Sequence, residues 1–251
     1  MEFNATKCNV LHIMPKNRKR YEVCIPYIMS GHILERVSSC KYLGVLFNEH
    51  MDWRPHIDSI VGQAHSKLSF LERNLSSCPK SLKAQAYTTI IRPPLEYASV
   101  IWDPSSTDDK KRIDSVQRAA ARFVCDKPRK RHADHLPDKD YDYVSVTQLV
   151  AECKWPSLES RRKDSRCIFM HKLLTKQVEA TEHLIPSFCT GRTRSATQKK
   201  LPPGPAKPPL LSNSFVPRTI RDWNNYVPNS ARLATTVDDF KAALRSQSAS
   251  A

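Results

Sequence analysis

The segment "SCKYLGVLFNEHMDWRPHI", residues 39–57, contains the change of hydrophobic period that decides the fold. Its first half is rich in aromatic and aliphatic residues, and Lys41–Phe47 is predicted to be a short strand with Gly44 in its interior. Its second half begins a pattern of apolar residues three or four positions apart, which predicts a long helix with Pro55 in its first turn and Asp52 as N-cap. The chain therefore changes from strands to helices within this segment.

Further strands are predicted upstream, at Lys7–Met14, Tyr21–Met29 and His32–Val37. The first two are separated by the polar run "PKNRKR", which begins with proline and is typical of a turn, so we expect them to form a hairpin. Residues 1–50 are therefore the predicted β region, which is small and antiparallel.

Helices follow in the rest of the chain. The second helix is predicted to begin near Pro79 and to end at Arg92, because the two prolines that follow disfavour a helical residue before them. A third covers about Thr107–Cys125, with acidic residues in its first turn. Ser145, with a glutamine three residues later, predicts the cap of a short helix, and Leu158–Leu174 is predicted to be another.

The composition then changes twice. Residues 51–190 are the predicted helical body. Residues 191–214 are rich in proline and basic residues, which is typical of a solvated linker, and 215–251 are a predicted small helical tail that docks on the body. The fold class is therefore α+β, mostly α, with a small N-terminal antiparallel β region, a thumb-like helical bundle and a small helical tail.

The charge is far from neutral, with 40 Lys and Arg against 25 Asp and Glu, a net charge of +15 and a pI of about 9.6. This balance favours RNA or DNA as a partner. No segment has the length of a spanning helix and no secretory signal is present, so we expect no membrane partner and an intracellular location, in the nucleus or the cytoplasm.

Three basic runs are the candidate nucleic-acid contacts. Lysines and arginines that neutralise phosphates bind without reading the base sequence. The alternative is that these runs are ordinary solvated faces. The candidate residues are Lys127, Arg129, Lys130, Arg131, Arg161, Arg162, Lys163, Arg192, Arg194, Lys199 and Lys200.

The eight cysteines include no C-x-x-C pair, so the sequence does not predict a structural zinc site. Cys125, His132 and His135 are the one local group of metal-binding residue types. Free intracellular thiols are the favoured interpretation. We therefore expect this chain to hold no metal and no cofactor.

Four blocks of sequence, in this order, carry a resemblance to a known family. Together they resemble the C-terminal part of the reverse transcriptases of jockey-like non-LTR retrotransposons, and the resemblance covers nearly the whole chain. The blocks are "SCKYLGVLFNEHMDWRPHI" (39–57), "IIRPPLEYASVIWDP" (90–104), "DSVQRAAARFV" (114–124) and "SFVPRTIRDWNNYVP" with "TVDDFKAAL" (214–228 and 236–244).

The resemblance implies a role for each region. Residues 1–50 are similar to the end of the palm with its primer-grip hairpin, and the helices after Trp53 are similar to the thumb and its extension. Tyr42, Leu43 and Gly44 would then form a hairpin tip against the 3′ end of a primer, with Gly44 letting the phosphate backbone approach. The alternative is that Tyr42, Leu43, Val45 and Leu46 are ordinary core residues and Gly44 is a bulge.

The complete enzymes of this family need two adjacent aspartates and a third carboxylate to hold two divalent metal ions, expected to be Mg²⁺. The adjacent aspartates here, Asp108-Asp109 and Asp238-Asp239, stand where helices are predicted to begin. No catalytic residue is therefore assigned. The sequence would contain the end of a polymerase without its beginning, inactive by itself.

Three hypotheses remain. The chain is a fragment of a retrotransposon RNA-directed DNA polymerase that still binds primer–template, a domesticated basic nucleic-acid-binding module, or a polymerase part completed in trans by a palm-bearing polypeptide. The first two predict the same residues, so the sequence does not separate them.

Overall fold

The computed structural model describes residues 4–14, 25–127, 145–181, 185–203 and 212–249. Short strands come first and helices follow, so the predicted α+β, mostly α, fold class is confirmed. A 3₁₀ turn at Ala5–Lys7 precedes the strands, which are β1 (Asn9–Leu11), β2 (Ile28–Met29), β3 (His32–Ile33), β4 (Glu35–Val37), β5 (Ser39–Tyr42) and β6 (Val45–Asn48).

The strands form three two-stranded sheets. β2 with β3 and β5 with β6 are antiparallel, whereas β1 pairs in parallel with β4. The predicted hairpin of Lys7–Met14 with Tyr21–Met29 is therefore wrong for β1, and residues 15–24 lie outside the described ranges. Strand patterns specify which face of a strand is buried but not which strand is its partner, and local reasoning missed this pairing for that reason.

A two-residue turn at Leu43 and Gly44 joins β5 to β6. Both residues have positive φ, +46° and +84°, as in the type I′ turns that suit two-residue hairpins. The prediction of one strand over Lys41–Phe47 with Gly44 in its interior is therefore wrong. The turn was missed because Asn-Gly and Asp-Gly are its usual sequences, and Leu-Gly is not.

The helices after Trp53 agree closely with the predicted ones. The N-cap of the first of these helices is Trp53, so the prediction of Asp52 as N-cap is wrong by one residue, although Asp52 Oδ1 accepts a hydrogen bond from the Arg54 N–H at 3.1 Å. Ser145 and Gln148 form the predicted capping box. The helices are α1 (Arg54–Asn74), α2 (Lys80–Ala86), α3 (Arg92–Glu96), α4 (Ser99–Trp102), α5 (Thr107–Val124), α6 (Val146–Glu152), α7 (Leu158–Leu174), α8 (Arg194–Thr197), α9 (Phe215–Asn225), α10 (Asn229–Leu233) and α11 (Val237–Ala249).

The predicted end of the second helix at Arg92 is wrong. α2 continues through a π-helical turn, Tyr87–Ile91, into α3, which contains Pro93 and Pro94 in its first turn. The wider π turn shifts the hydrogen-bond register of the helix. The prolines then occupy first-turn positions, where a missing N–H costs little, and the chain stays helical.

The first hydrophobic core lies between α1, the π turn, α3, α4 and α5. α1 and α5 run in the same direction, because Arg54 contacts Asp108 and Asp109 at the helix starts and Asp58 pairs with Arg112 one turn later. The fully buried side chains of this core are Ile57, Leu68, Tyr87, Ile91, Leu95, Trp102, Ile113, Val116, Ala120 and Leu158.

The second core joins the later part of α7 to the C-terminal helices. The Trp223 ring stacks on Phe240 with ring centroids 5.5 Å apart, and both side chains are fully buried. Cys167 and Met170 of α7 belong to the same cluster. The tail therefore packs on the helical body, as expected from its apolar residues.

Part of the predicted linker, residues 191–214, is packed. Leu201 is 1% exposed. Its N–H donates to Asn224 Oδ1 at 3.0 Å, and its carbonyl accepts from Asn224 Nδ2 at 2.8 Å. The expectation of a fully solvated linker is therefore wrong at this residue. Residues 204–211 lie outside the described ranges, and the four-part division of the chain stays a prediction.

A buried ionic cluster connects the two cores. Asp103 follows α4 and accepts from Arg162 Nε at 2.6 Å, from Arg166 Nη1, and from Arg218 Nη2 at 2.8 Å. Arg166 also contacts Asp222 of α9 at 2.6 Å. Since α7 supplies two of the arginines and α9 the third, one carboxylate links α4, α7 and α9.

None of the helices in the described ranges combines the length and apolar character that crossing a bilayer requires.

We expect Asp103→Asn to lower the free energy of unfolding by about 3–5 kcal/mol, because it leaves two buried arginines and one half-buried arginine with one carboxylate fewer. Urea unfolding followed by circular dichroism measures this change. Asp238→Asn is the matched control, since the Asp238 side chain is 92% exposed, and it should unfold like the wild type. Equal stability of the two variants would contradict the central role of Asp103.

Candidate nucleic-acid interface

The tip of the β5–β6 hairpin presents large side chains to solvent. Tyr42 is 65% exposed and Leu43 is 72% exposed, whereas Val45 immediately after the turn is buried. Tyr42 and Leu43 are therefore not core residues, but Val45 is one, so the alternative interpretation is wrong for the first two residues and confirmed for Val45. An exposed aromatic and an exposed aliphatic side chain together offer an apolar surface on which bases and sugars pack.

Tyr97, in the turn after α3, supports the hairpin tip from behind. Its hydroxyl donates to the Leu43 carbonyl at 3.0 Å. A Cβ atom placed on Gly44 would lie 3.3 Å from Tyr97 Cε1, so the ring packs against the glycine itself. Tyr97 is itself 57% exposed and extends the aromatic surface of the tip. Sequence reasoning missed this residue, because nothing local links it to the hairpin.

His56 connects the hairpin to the first core. The Leu46 N–H of β6 donates to His56 Nδ1 at 3.3 Å, and the imidazole packs edge-on against Trp102 with ring centroids 5.3 Å apart. Burial, and secondarily the charge of Lys41, lower the pKa of His56. The imidazole is therefore neutral, which leaves Nδ1 free to accept the backbone hydrogen bond.

The candidate arginines of α7 form ion pairs within the fold. Arg162 is fully buried against Asp103, so its prediction as a surface contact is wrong. Arg161 makes a bidentate pair with Glu96, in which Nη2 lies 2.9 Å from Oε2. Lys163 is half-buried, with Nζ 4.8 Å from the centre of the Tyr226 ring. The number of basic residues in this run is therefore larger than the number of positive charges that are free of an internal ion pair.

The remaining basic candidates differ in exposure. Arg192 and Arg194 are exposed at the start of α8, while Lys199, Lys200 and Lys127 are half-buried. The Lys199 carbonyl accepts from Trp223 Nε1 at 3.0 Å, which places the backbone of this basic run on the second core. Arg129, Lys130, Arg131, His132 and His135 lie outside the described ranges.

The outer side of α1 is a further candidate surface that sequence reasoning missed. Phe70 is 57% exposed there, and Lys67 and Arg73 are exposed beside it. Beyond Asp58, the exposed positions of this helix contain no acid. An apolar ring between two free cations suits a sugar–phosphate backbone better than a plain solvated face does.

The two aspartate pairs do not form a two-metal centre. Arg54 Nη1 contacts Asp108 at 2.6 Å and Asp109 at 2.9 Å, so both carboxylates form an ion pair with the same guanidinium. Asp239 accepts from the Thr236 hydroxyl at a helix start. Within the described ranges no three His, Cys, Asp or Glu side chains lie together in a way that would hold a metal ion.

Comparison with known proteins supports a relationship to transposon reverse transcriptases. A probable RNA-directed DNA polymerase from transposon BS of Drosophila melanogaster is 26% identical over 109 residues, which are 42% of this chain and 12% of that protein. No protein-family model matches the chain. No solved structure matches it either.

We expect the free energy of unfolding to fall as the pH is lowered through about 6.5, the ordinary pKa of histidine. Below that pH the unfolded chain binds a proton at His56 that the folded chain rejects, so stability is complete above it and decreases below it. Urea unfolding at about one-unit steps from pH 8 to pH 5 measures how the free energy of unfolding changes with pH.

In His56→Asn the amide oxygen still accepts a hydrogen bond from the Leu46 N–H but does not titrate, so the free energy of unfolding should change less with pH. His32→Asn, at an exposed position, should keep the wild-type slope; an unchanged slope in His56→Asn would contradict the role of His56.

We expect Gly44→Ala and Gly62→Ala to change stability in opposite directions. Alanine at position 44 would adopt positive φ and contact Tyr97, at a cost of about 1–2 kcal/mol. Gly62 lies in α1 with open space around it, where alanine stabilises a helix by up to about 1 kcal/mol. Denaturant unfolding of the two variants measures both effects. Destabilisation of similar size at both positions would contradict the hairpin geometry.

Proposed function

We propose that this chain is derived from a retrotransposon RNA-directed DNA polymerase of the jockey-like type, and that it binds primer–template nucleic acid without sequence preference. The observation that carries the proposal is the β5–β6 tip, where Tyr42 and Leu43 are exposed and Tyr97 supports the turn from behind. The similarity to the transposon BS polymerase supports the same origin.

The conformation of Leu43 favours a binding role for the tip. Positive φ at a leucine costs about 1–2 kcal/mol, and asparagine or aspartate would serve the turn better. Leucine at this position destabilises the turn, and only the side chain that it exposes to solvent favours it there. In the proposed complex, Tyr42 packs on a base or sugar at the recessed 3′ end of the primer.

The charge of the proposed surface is smaller than the composition indicates. Arg162 and Arg166 neutralise internal carboxylates, and Arg161 is paired with Glu96. The free cations are therefore those outside these pairs, such as Arg192 and Arg194, together with Lys67 and Arg73 on the outer side of α1. The thumb-like helices then hold the duplex mainly through its phosphates.

A polymerase part completed in trans by a palm-bearing polypeptide is the second candidate function. The β2–β3 pair favours it, because Ile28 is 63% exposed, Ile33 is 71% exposed, and the neighbouring Ile25 is 78% exposed. So many exposed isoleucines on one short hairpin are typical of a surface that another polypeptide covers. A domesticated binding module would use the same nucleic-acid surface as the fragment.

We expect the chain to bind an RNA–DNA primer–template with a recessed 3′ end, with affinity that falls steeply as salt rises. If about five phosphates are neutralised, the slope of log K against log salt is about −3 to −5. Tyr42→Ala removes one stacking contact, worth about 1–3 kcal/mol, and should weaken binding to the recessed end by about 5-fold to 150-fold. Fluorescence anisotropy of a labelled primer measures both.

The matched control is Leu233→Ala, since Leu233 is also an exposed apolar residue, at 45% exposure, but lies in α10 of the tail. It should bind like the wild type. A blunt duplex is the second control, because it offers no recessed end to the hairpin. Equal losses in Tyr42→Ala and Leu233→Ala, or binding that ignores salt, would contradict the proposal.

We expect no nucleotide incorporation by the chain alone on a primed template with Mg²⁺ or Mn²⁺, because its aspartate pairs serve an ion pair and a helix start. Incorporation of labelled nucleotide is the measurement. Activity that appears only after a palm-bearing reverse-transcriptase polypeptide is added would support the second candidate. Activity of the chain alone that Asp108→Asn or Asp238→Asn abolishes would overturn both.

A further inference from the structure

Two thiols that the proposed function does not use lie in contact where two helices end. Cys125 follows the last residue of α5, Cys153 follows the last residue of α6, and their Sγ atoms are 3.9 Å apart. Both are free thiols in this structure. Cys125 is 6% exposed and Cys153 is partly exposed, so one sulfur is reachable from solvent and the other lies behind it.

The backbone holds both sulfurs in place. The Cys125 N–H donates to the Ala121 carbonyl at 3.0 Å, and the Cys153 N–H donates to the Leu149 carbonyl at 3.1 Å. Ala121 and Leu149 are buried in the small apolar cluster that includes Cys125 and packs α5 on α6. The pair is therefore presented by two packed helix ends, with the sulfurs in contact but not at the S–S bond length of about 2.05 Å.

We propose that Cys125 and Cys153 are a redox pair that forms an intramolecular disulfide when the chain meets a low-molecular-weight disulfide such as oxidised glutathione. The Cys153 thiolate attacks one sulfur of the reagent and releases a glutathione thiolate, leaving a mixed disulfide. The Cys125 thiolate then attacks the Cys153 sulfur and releases the second glutathione thiolate. The two cysteine protons end on the two released glutathione molecules, so the protein loses two electrons and the reagent gains them.

The surroundings of the pair slow its reaction with a disulfide. Burial, followed by the neighbouring Cys125, raises the pKa of Cys153 to about 12, and burial also raises the pKa of Cys125. Thiolates are therefore scarce and the exchange is slow, which suits a pair that responds to sustained oxidation. The ion pair of Lys80 with Glu152, at 2.9 Å, is part of the charged surroundings of these thiols.

The disulfide would tie the end of α5 to the end of α6 and close the segment between them. That segment contains the basic run from Lys127 to Arg131, whose residues are candidate nucleic-acid contacts. Closing a loop restricts the unfolded chain, so the oxidised protein is expected to unfold at a higher temperature than the reduced one. Reduction by dithiothreitol should reverse the shift.

Oxidised glutathione, added to the folded full-length chain, tests the proposal. Non-reducing tryptic digestion is expected to yield peptides 123–129 and 140–154 joined by a disulfide, each containing one cysteine. In C125S the second step has no nucleophile, so peptide 140–154 should carry glutathione instead. C189S is the matched control, because Cys189 is also partly exposed but lies elsewhere, and it should give the same crosslink as the wild type.

The proposal is overturned if the wild type carries glutathione on Cys153 without the crosslink, or if both peptides stay unmodified while other cysteines react. It is also overturned if the crosslink forms equally well in urea-unfolded protein, because the geometry of the folded state would then contribute nothing. Loss of two titratable thiols together with the joined peptides supports it. These outcomes do not depend on nucleic-acid binding and therefore stand apart from the proposed function.

Discussion

The carboxylate of Asp103 is the interaction on which the architecture depends. It lies where α4 ends and forms ion pairs with two buried arginines of α7 and one half-buried arginine of α9. Buried charges are costly unless they are paired, so these four side chains hold each other in one arrangement. Because α7 contributes Leu158 to the first core and Cys167 to the second, the ionic cluster sets how the two cores meet.

This cluster also changes how the charge of the chain should be interpreted. A net charge of +15 indicates a polyanionic partner, but charge composition does not distinguish a cation at the surface from one in the interior. Arg162 and Arg166 stabilise the fold, and the free cations lie elsewhere, on α1 and near α8. Different basic residues of the chain therefore serve the proposed nucleic-acid binding and the packing of the tail.

The hairpin tip is positioned by the first core. His56 fixes β6 on α1, Tyr97 closes the turn from the α3 side, and the positive φ of Leu43 is maintained between them. Local strain of this kind persists only where surrounding contacts determine it. The same supports keep Tyr42 and Leu43 exposed when hydrophobic burial would otherwise draw them inward.

The sequence by itself determined the helices, since apolar spacing and capping are local properties: α5 and α7 begin and end close to the predicted residues, α1 begins close to its predicted start, and Ser145 caps α6 as expected. It also placed the strands near the N-terminus and indicated that the tail docks. Only the tertiary structure decided the parallel partner of β1, the π turn that carries the helix past Pro93, and the burial of Arg162. The strand pairing and the burial of Arg162 depend on residues distant in sequence, and the π turn depends on a shift of hydrogen-bond register. A periodic pattern of apolar residues along the chain gives no information about either.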